Sequence, residues 1–151
     1  MRVTVLFFAL SLFAAGAGFA ADNGLITKQS HHSADETLDR LTAILKKKGI
    51  TIFARVSHSA GAKKSNIPLR KTELLIFGNP KLGSHFFTSK QTAGIDLPMK
   101  ALAWEDEKGK VWLTYNDPAY IAKRHGIKDR AKIVAKMTKA LDNFTNAATK
   151  K

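Results

Sequence analysis

The 151-residue chain contains no cysteine and has few acidic residues. Without cysteine it can form no disulfide, no thiolate-ligated metal centre and no cysteine nucleophile. Only 12 Asp and Glu residues stand against 25 Lys and Arg residues, which gives a formal net charge of +13. Its hydrophobic fraction of 44% is that of a globular protein and excludes wholesale disorder. This length suits one domain with a hydrophobic core.

Motifs that would name a reaction are also missing. The sequence has no Gly-x-Ser-x-Gly elbow, and the segment 78–83 lacks the Lys-Ser/Thr ending of a phosphate-binding loop. The five histidines include no i, i+4 pair and no spacing that is typical of a metal site. We therefore expect no bound metal and no cofactor, and the residues alone name no substrate.

The N-terminal residues have the pattern of an export signal. Arg2 is followed by an uncharged apolar segment over residues 3–13, and then by small residues. Gly18 and Ala20 fit positions −3 and −1 of a cleavage site, so we predict a signal peptide over residues 1–20, cleaved before Ala21. The expected location is periplasmic or secreted, which the lack of cysteine suits. The apolar stretch is also long enough for a membrane anchor, and that alternative stays open.

Residues 21–151 are predicted to form a single domain, in which one helix has the strongest signal. Ser33 and Glu36 have the spacing of a capping box. Leucines at positions 38, 41 and 45 follow at helical spacing, and Gly49 suits a helix end. The pattern predicts a helix over residues 34–48.

The rest of the chain alternates strand and helix signals. Strands are predicted over residues 24–29, 50–56, 72–77, 97–105 and 110–115, with positions 50, 52, 54 and 56 on one face. Helices are predicted to begin at Asn79-Pro80 and Asp117-Pro118, and a last helix covers residues 129–148. Segment 58–64 is a turn or a short helix. This order indicates an α+β fold, with a mostly antiparallel, curved sheet of about five strands backed by helices on one face.

Four segments, in order along the chain, carry a family resemblance: residues 53–62 (FARVSHSAGA), 73–83 (ELLIFGNPKLG), 96–100 (DLPMK) and 115–118 (YNDP). They resemble the family called domain of unknown function 302, over about residues 24–127. The resemblance implies a curved antiparallel sheet of the TATA-binding-protein-like architecture, but a likeness of fold implies no DNA-binding function. Distant members often carry Cys where this chain has Met99, so no role of that Cys transfers. The helix over 129–148 lies beyond these segments and looks like an appended element.

Four residues are harder to explain by the fold alone, namely His58, Lys100, Trp104 and Tyr115. Together with Asn79 they form the predicted ligand-binding set. They would line one pocket if the strands that carry Lys100 and Tyr115 ran beside the strand that leads to His58. The leading hypothesis is an exported small-ligand-binding or accessory module of the cell envelope, with affinity for anionic partners.

Two alternatives remain at this point. The first is an enzyme of unknown class that uses His58 with a carboxylate such as Asp96 or Asp117. The second is a structural or stress-related module that acts through protein contacts. Because the basic residues are spread along an exported chain, we expect an anionic envelope surface as partner, including peripheral contact with a membrane, and no nucleic acid.

Overall fold

The computed structural model of the protein describes residues 23–151, and the predicted signal peptide lies outside them. Five strands form one antiparallel sheet in the order β1-β5-β4-β3-β2. The strands are β1 (Leu25–Ser30), β2 (Thr51–Ser57), β3 (Thr72–Gly78), β4 (Met99–Glu105) and β5 (Val111–Asn116). The helices are α1 (Ala34–Lys47), α2 (His58–Lys64), α3 (Pro80–Ser89), α4 (Pro118–Arg124) and α5 (Ala131–Thr149), with a 3₁₀ helix at Gln91–Ile95. The predicted α+β fold is confirmed, and segment 58–64 is the short helix.

Three helices begin at the residues that the sequence indicates. The side-chain oxygens of Ser33, Asn79 and Asp117 accept hydrogen bonds from backbone N–H groups two or three residues further on, at 3.2, 3.0 and 2.9 Å. Each bond satisfies one donor that a helix start leaves without a partner. Glu36, the expected second half of a capping box, instead places its carboxylate 3.0 Å from His32 Nδ1.

Helices α1 and α5 cover one face of the sheet and supply the core on that side. Three leucines of α1 are fully buried, and α5 buries Met137, Leu141 and Ala148. Fully burying a leucine stabilises the fold by about 1.5–3 kcal/mol. The final helix therefore belongs to the hydrophobic core, and the expectation of an appended element is corrected.

A β-bulge in β2 overturns the predicted orientation of that strand. Ile52 pairs with Phe77, whereas Ala54 pairs with the neighbouring Ile76, so Phe53 is an extra residue in the pairing. Residues that pair across strands point to the same side of a sheet. Phe77 is buried under the helices, so Ile52 faces the helices and Ala54 faces away. The prediction that positions 50, 52, 54 and 56 share one face is wrong, because the bulge reverses the alternation.

The opposite face of the sheet carries polar and apolar side chains, and none of its described residues is fully buried. Trp104 and Trp112 lie on it as a stacked pair, with ring centroids 6.3 Å apart and an interplanar angle of 27°. Leu74 and Leu102 pair in the next row toward the sheet centre. This open face is thus the side that α1 and α5 leave uncovered.

Candidate functional site

An apolar cavity of about 210 Å³ lies where the ends of β3 and β4 meet α3 and α5. Much of its wall consists of the side chains Phe53, Phe77, Leu82, Phe87, Met99 and Met137. An apolar cavity of about 150 Å³ in another protein holds benzene. The cavity therefore has room for one aromatic ring with a short substituent, or for a chain of similar size.

Local features of the chain build this cavity. The bulge in β2 places Phe53 at the cavity wall with 52% of its surface exposed, so its ring forms the rim. At Gly78 an added Cβ would lie 3.4 Å from that ring and 3.5 Å from Pro98 Cβ, which are ordinary van der Waals contacts, so the Phe53 ring and Pro98 pack closely around this corner of the wall. Phe86 is fully buried and fixes α3 to the core, while the adjacent Phe87 lines the cavity.

The two polar side chains in the wall, Asn79 and Ser84, use their oxygen atoms in local hydrogen bonds. Asn79 Oδ1 accepts a hydrogen bond from the backbone of Lys81 at 3.0 Å, and Ser84 Oγ donates to Pro80 O at 2.7 Å. Among the described residues, no charged side chain contributes to the wall. A polar group placed there would lose hydrogen bonds to water without replacement, which is costly. The cavity is therefore chemically suited to hold an apolar molecule, and its wall contains no ionisable side chain among the described residues.

Of the predicted ligand-binding set, only Asn79 lies in the cavity wall. Lys100 and Tyr115 sit on adjacent strands, but the register pairs Tyr115 with Ala101, so the two side chains point to opposite faces. His58 is exposed at the start of α2, and β3 separates the strand before it from β4. The structure therefore does not bring His58, Lys100 and Tyr115 into one pocket.

Lys100 and Trp104 both lie on the open face of the sheet. Lys100 Nζ donates to the carbonyl oxygens of Asp96 and Pro98, each at 3.0 Å, and so holds the turn before β4. Trp104 Nε1 donates to Thr114 Oγ1 at 2.9 Å. These bonds satisfy the polar ends of both side chains and leave the indole rings as the apolar part of that face.

Tyr115 belongs to the contact between the sheet and α5. It is 3% exposed, and burial raises the pKa of its hydroxyl above the ordinary value. Lys28 Nζ lies 5.8 Å from its ring centroid and also binds Asp142 Oδ1 at 2.6 Å and Asn146 Oδ1 at 2.8 Å. This arrangement combines a cation–π contact with an ion pair and ties β1 and β5 to the last helix.

A histidine–carboxylate pair does occur, with a different histidine from the one expected. Asp96 Oδ2 lies 2.7 Å from His125 Nε2, and Thr92 Oγ1 lies 3.1 Å from His125 Nδ1. Asp117 serves as the cap of α4, so neither candidate carboxylate pairs with His58. Because both ring nitrogens of His125 have partners, the group fixes the 3₁₀ helix against the end of α4. The residues are about thirty positions apart, and no sequence signal links them.

A second cluster of charges joins α1 to the sheet. Glu73 is 6% exposed and accepts from Arg55 Nε at 2.8 Å and from Lys71 Nζ at 2.7 Å. Lys71 also lies 2.9 Å from Asp35 Oδ1, and Arg55 pairs with Asp39. The hydrogen bond from Lys71 lowers the pKa of Asp35, and the bond to Glu73 raises the pKa of Lys71. Since every member is paired, the cluster serves packing.

The part of the chain that the structure describes also lacks two other features. None of its helices is both long enough and apolar enough to cross a bilayer. Nor do three or more His, Asp or Glu side chains converge there in a way that could hold a metal ion.

The fold and site define an α+β domain with an open sheet face and an apolar cavity at one end of the sheet. The family model described as "Domain of unknown function DUF302" matches residues 26–144, and the chain belongs to that family. The match includes most of α5 and so extends beyond the segments 24–127 that carry the resemblance in the sequence.

Three curated relatives, each 53% identical over 106 residues, carry channel names. They are "Fluoride-specific ion channel FluC 1" of Brucella suis biovar 1 (strain 1330), a protein of the same name in Brucella abortus biovar 1 (strain 9-941), and "Fluoride-specific ion channel FluC 2" of Brucella melitensis biotype 1. The match covers 70% of this chain and only 42%, 39% and 39% of the relatives. The chain thus spans about two fifths of their length.

A solved structure has the same fold. It is titled "Crystal structure of uncharacterized conserved protein DUF302 from Bacillus stearothermophilus" and superimposes with a TM-score of 0.75 at 17% identity. The match covers 83% of this chain and 98% of that one. At this identity the likeness concerns the fold alone.

Proposed function

We propose that the protein is a binding module for a small apolar molecule, which it holds in the cavity between the sheet end, α3 and α5. The observation that carries this proposal is the wall itself, which is aromatic and aliphatic and contains no charged side chain among the described residues. Ligand pockets are typically concave and mostly apolar. Asn79 takes part by capping α3 at the wall, and the other predicted residues act elsewhere in the fold.

The size of the cavity sets the class and the affinity of the ligand. About six buried carbons, at about 0.8 kcal/mol each, give close to 5 kcal/mol of binding free energy. That value corresponds to a dissociation constant of about 0.1–1 mM, which is in the range of a sensor or carrier for abundant hydrocarbons. The same wall is unsuited to fluoride, because a small anion would lose its hydration there without gaining a cation.

The envelope is the proposed place of action. The N-terminal pattern predicts export, and the curated relatives named as fluoride channels contain a matching segment within longer chains. An ion channel works in a membrane, so in those relatives the matching segment is part of a protein that is named for a membrane function. This association supports an accessory role near a membrane for the present domain.

The test uses aromatic compounds of increasing size: benzene, toluene, indole and naphthalene. Met99 and Met137 are the two methionines among the described residues, and both line the cavity. Protein labelled with ¹³C at the methionine methyl groups therefore reports binding at the site. We expect saturable shifts of both methyl signals with toluene and weaker binding of naphthalene, which exceeds the cavity.

Two variants locate the binding. Ala140 lines the cavity, whereas Ala147 lies exposed on the same helix. Ala140→Leu should lower toluene affinity at least tenfold, because its added carbons take the ligand's place, and Ala147→Leu should leave the affinity unchanged. Equal binding to both variants, or methyl signals that do not respond to any of the four compounds, would refute the proposal.

A further inference from the structure

The outer side of α5 carries a line of lysines. Lys132, Lys136 and Lys139 follow one another at spacings of four and three residues, which places them on one side of the helix. All three are exposed. The ion pairs found among residues 23–151 involve none of them. Their charges therefore remain available to an external partner.

The groove between α4 and α5 extends this charge. Lys123 and Lys128 line the groove opposite Lys139, and its floor includes the apolar side chains of Ile127 and Val134. Residues 118–142 contain seven basic residues and two acidic residues, Asp129 and Asp142, and Asp142 also lines the groove. Asp129 already binds Arg130 Nη1 at 2.6 Å, and Asp142 binds Lys28 Nζ at 2.6 Å, so both carboxylates have partners. This side of the molecule thus holds a local excess of positive charge around an apolar floor.

We propose that the lysine face, made of Lys123, Lys128, Lys132, Lys136 and Lys139, rests on an anionic lipid bilayer. This inference builds on the envelope location proposed above and adds the partner and the orientation. Clusters of lysine beside a bilayer attract anionic lipids, and each lysine near the surface strengthens the association about fivefold. The apolar groove floor offers a contact for the glycerol region of a lipid held between the lysines.

The composition of the face favours lipid over an acidic protein. Protein interfaces are enriched in aromatic residues and arginine and depleted in lysine. Among the described residues, the lining of the groove between α4 and α5 has no aromatic residue and no arginine, and its basic members are Lys123, Lys128 and Lys139. Lysine is a mobile point charge that does not require a fixed geometry of the acceptor, which suits fluid headgroups.

The proposed orientation also concerns the cavity. Helix α5 contributes Met137 and Ala140 to the cavity wall and carries the lysines on its outer side. A helix with its side chains is about 10–12 Å across. Docking through the lysine face would therefore hold the cavity about one helix diameter from the bilayer, where apolar molecules concentrate.

The experiment compares two triple variants of the full chain. The α5 triple variant combines Lys132→Gln, Lys136→Gln and Lys139→Gln. The matched control replaces Lys46, Lys47 and Lys48 by Gln, and so loses the same charge from the exposed end of α1. Both are sedimented with vesicles of phosphatidylcholine alone or with 30% phosphatidylglycerol. We expect the α5 triple to lower the association constant for anionic vesicles about 100-fold, and the control to lower it less than fivefold.

Salt and competitors complete the test. Raising the salt to about 0.5 M should release the wild-type protein from anionic vesicles, because surface charges are then screened. Equal losses in both triple variants, or binding that soluble polyglutamate abolishes at the same charge concentration, would overturn the lysine face as a lipid site. Toluene titration of the α5 triple separates the two proposals, since this variant should keep its cavity. If the α5 triple variant loses vesicle binding but binds toluene normally, the lysine face binds lipid and the cavity is intact.

Discussion

Replacing Ala140 by leucine should stabilise the protein, and the sign of the change tests whether the cavity is empty space. Leucine adds three carbons to a wall position of a cavity of about 210 Å³. At about 0.8 kcal/mol for each buried carbon the gain is about 2.4 kcal/mol. Ordering the longer side chain costs about 0.5–1 kcal/mol. The free energy of unfolding should therefore rise by about 1.5 kcal/mol, and the melting temperature by about 4 °C.

The assay is urea denaturation at pH 7 of wild type, Ala140→Leu and Ala147→Leu. The exposed control should change the free energy of unfolding by less than about 0.5 kcal/mol. If the side chains around Ala140 already filled the space, leucine would overpack the site and destabilise the protein by about 1–3 kcal/mol. A destabilised Ala140→Leu with an unchanged control would therefore refute the reasoning.

The remaining predictions concern stability. Gly83→Ala should raise the free energy of unfolding, measured by urea denaturation, by about 0.5–1 kcal/mol. Alanine favours the helical conformation of α3, and its Cβ would meet only the Phe87 ring, at 3.6 Å. A lower free energy of unfolding would contradict this prediction. Glu73→Gln should lower the free energy of unfolding measured in urea by about 2 kcal/mol, because the buried Glu73 carboxylate then no longer forms its ion pair with the partly exposed Lys71. Asp35 has a lowered pKa in the folded state, because Lys71 donates a hydrogen bond to its carboxylate. It therefore stabilises the fold at pH values above its ordinary pKa of 3.8, and this contribution disappears as the pH falls through the folded pKa. Asp35→Asn should therefore lessen the loss of stability measured below pH 4.

The sequence predicts the secondary structure well where local chemistry decides it. The capping residues Ser33, Asn79 and Asp117 mark the starts of α1, α3 and α4, because the bonds they accept are local. The orientation of β2 could not be predicted in this way. Every second residue over 50–56 is apolar, and this pattern contains no sign of the bulge at Phe53. The bulge is a property of the pairing with β3, which a local pattern cannot show.

The candidate site is harder to predict, because its wall comes from four distant parts of the chain. The cap position of Asn79 is visible in the sequence, while Phe53, Phe87 and Met137 look like ordinary core residues there. Polar and aromatic residues such as Lys100 and Trp104 draw attention first, yet their polar ends are satisfied by neighbours on the open face. An apolar cavity has no motif, since it is defined by the space between side chains.

Helix α5 contributes to both the proposed ligand site and the proposed lipid-binding surface. One side of the helix buries Leu141 and Ala148 in the core, and Ala140 and Met137 close the cavity. The outer side carries the lysines at positions 132, 136 and 139. A single helix thus combines the ligand site with the surface proposed to meet lipid.

The most direct measurement of the central claim is a toluene titration followed by NMR of the methionine methyl groups and the tryptophan indoles. Met99 and Met137 line the cavity, whereas Trp104 and Trp112 lie on the open face of the sheet. Binding in the cavity predicts saturable shifts of the two methyl signals, with a dissociation constant of about 0.1–1 mM, and unchanged indole signals. Shifts confined to the indoles, or methyl shifts that grow linearly without saturation, would contradict the account.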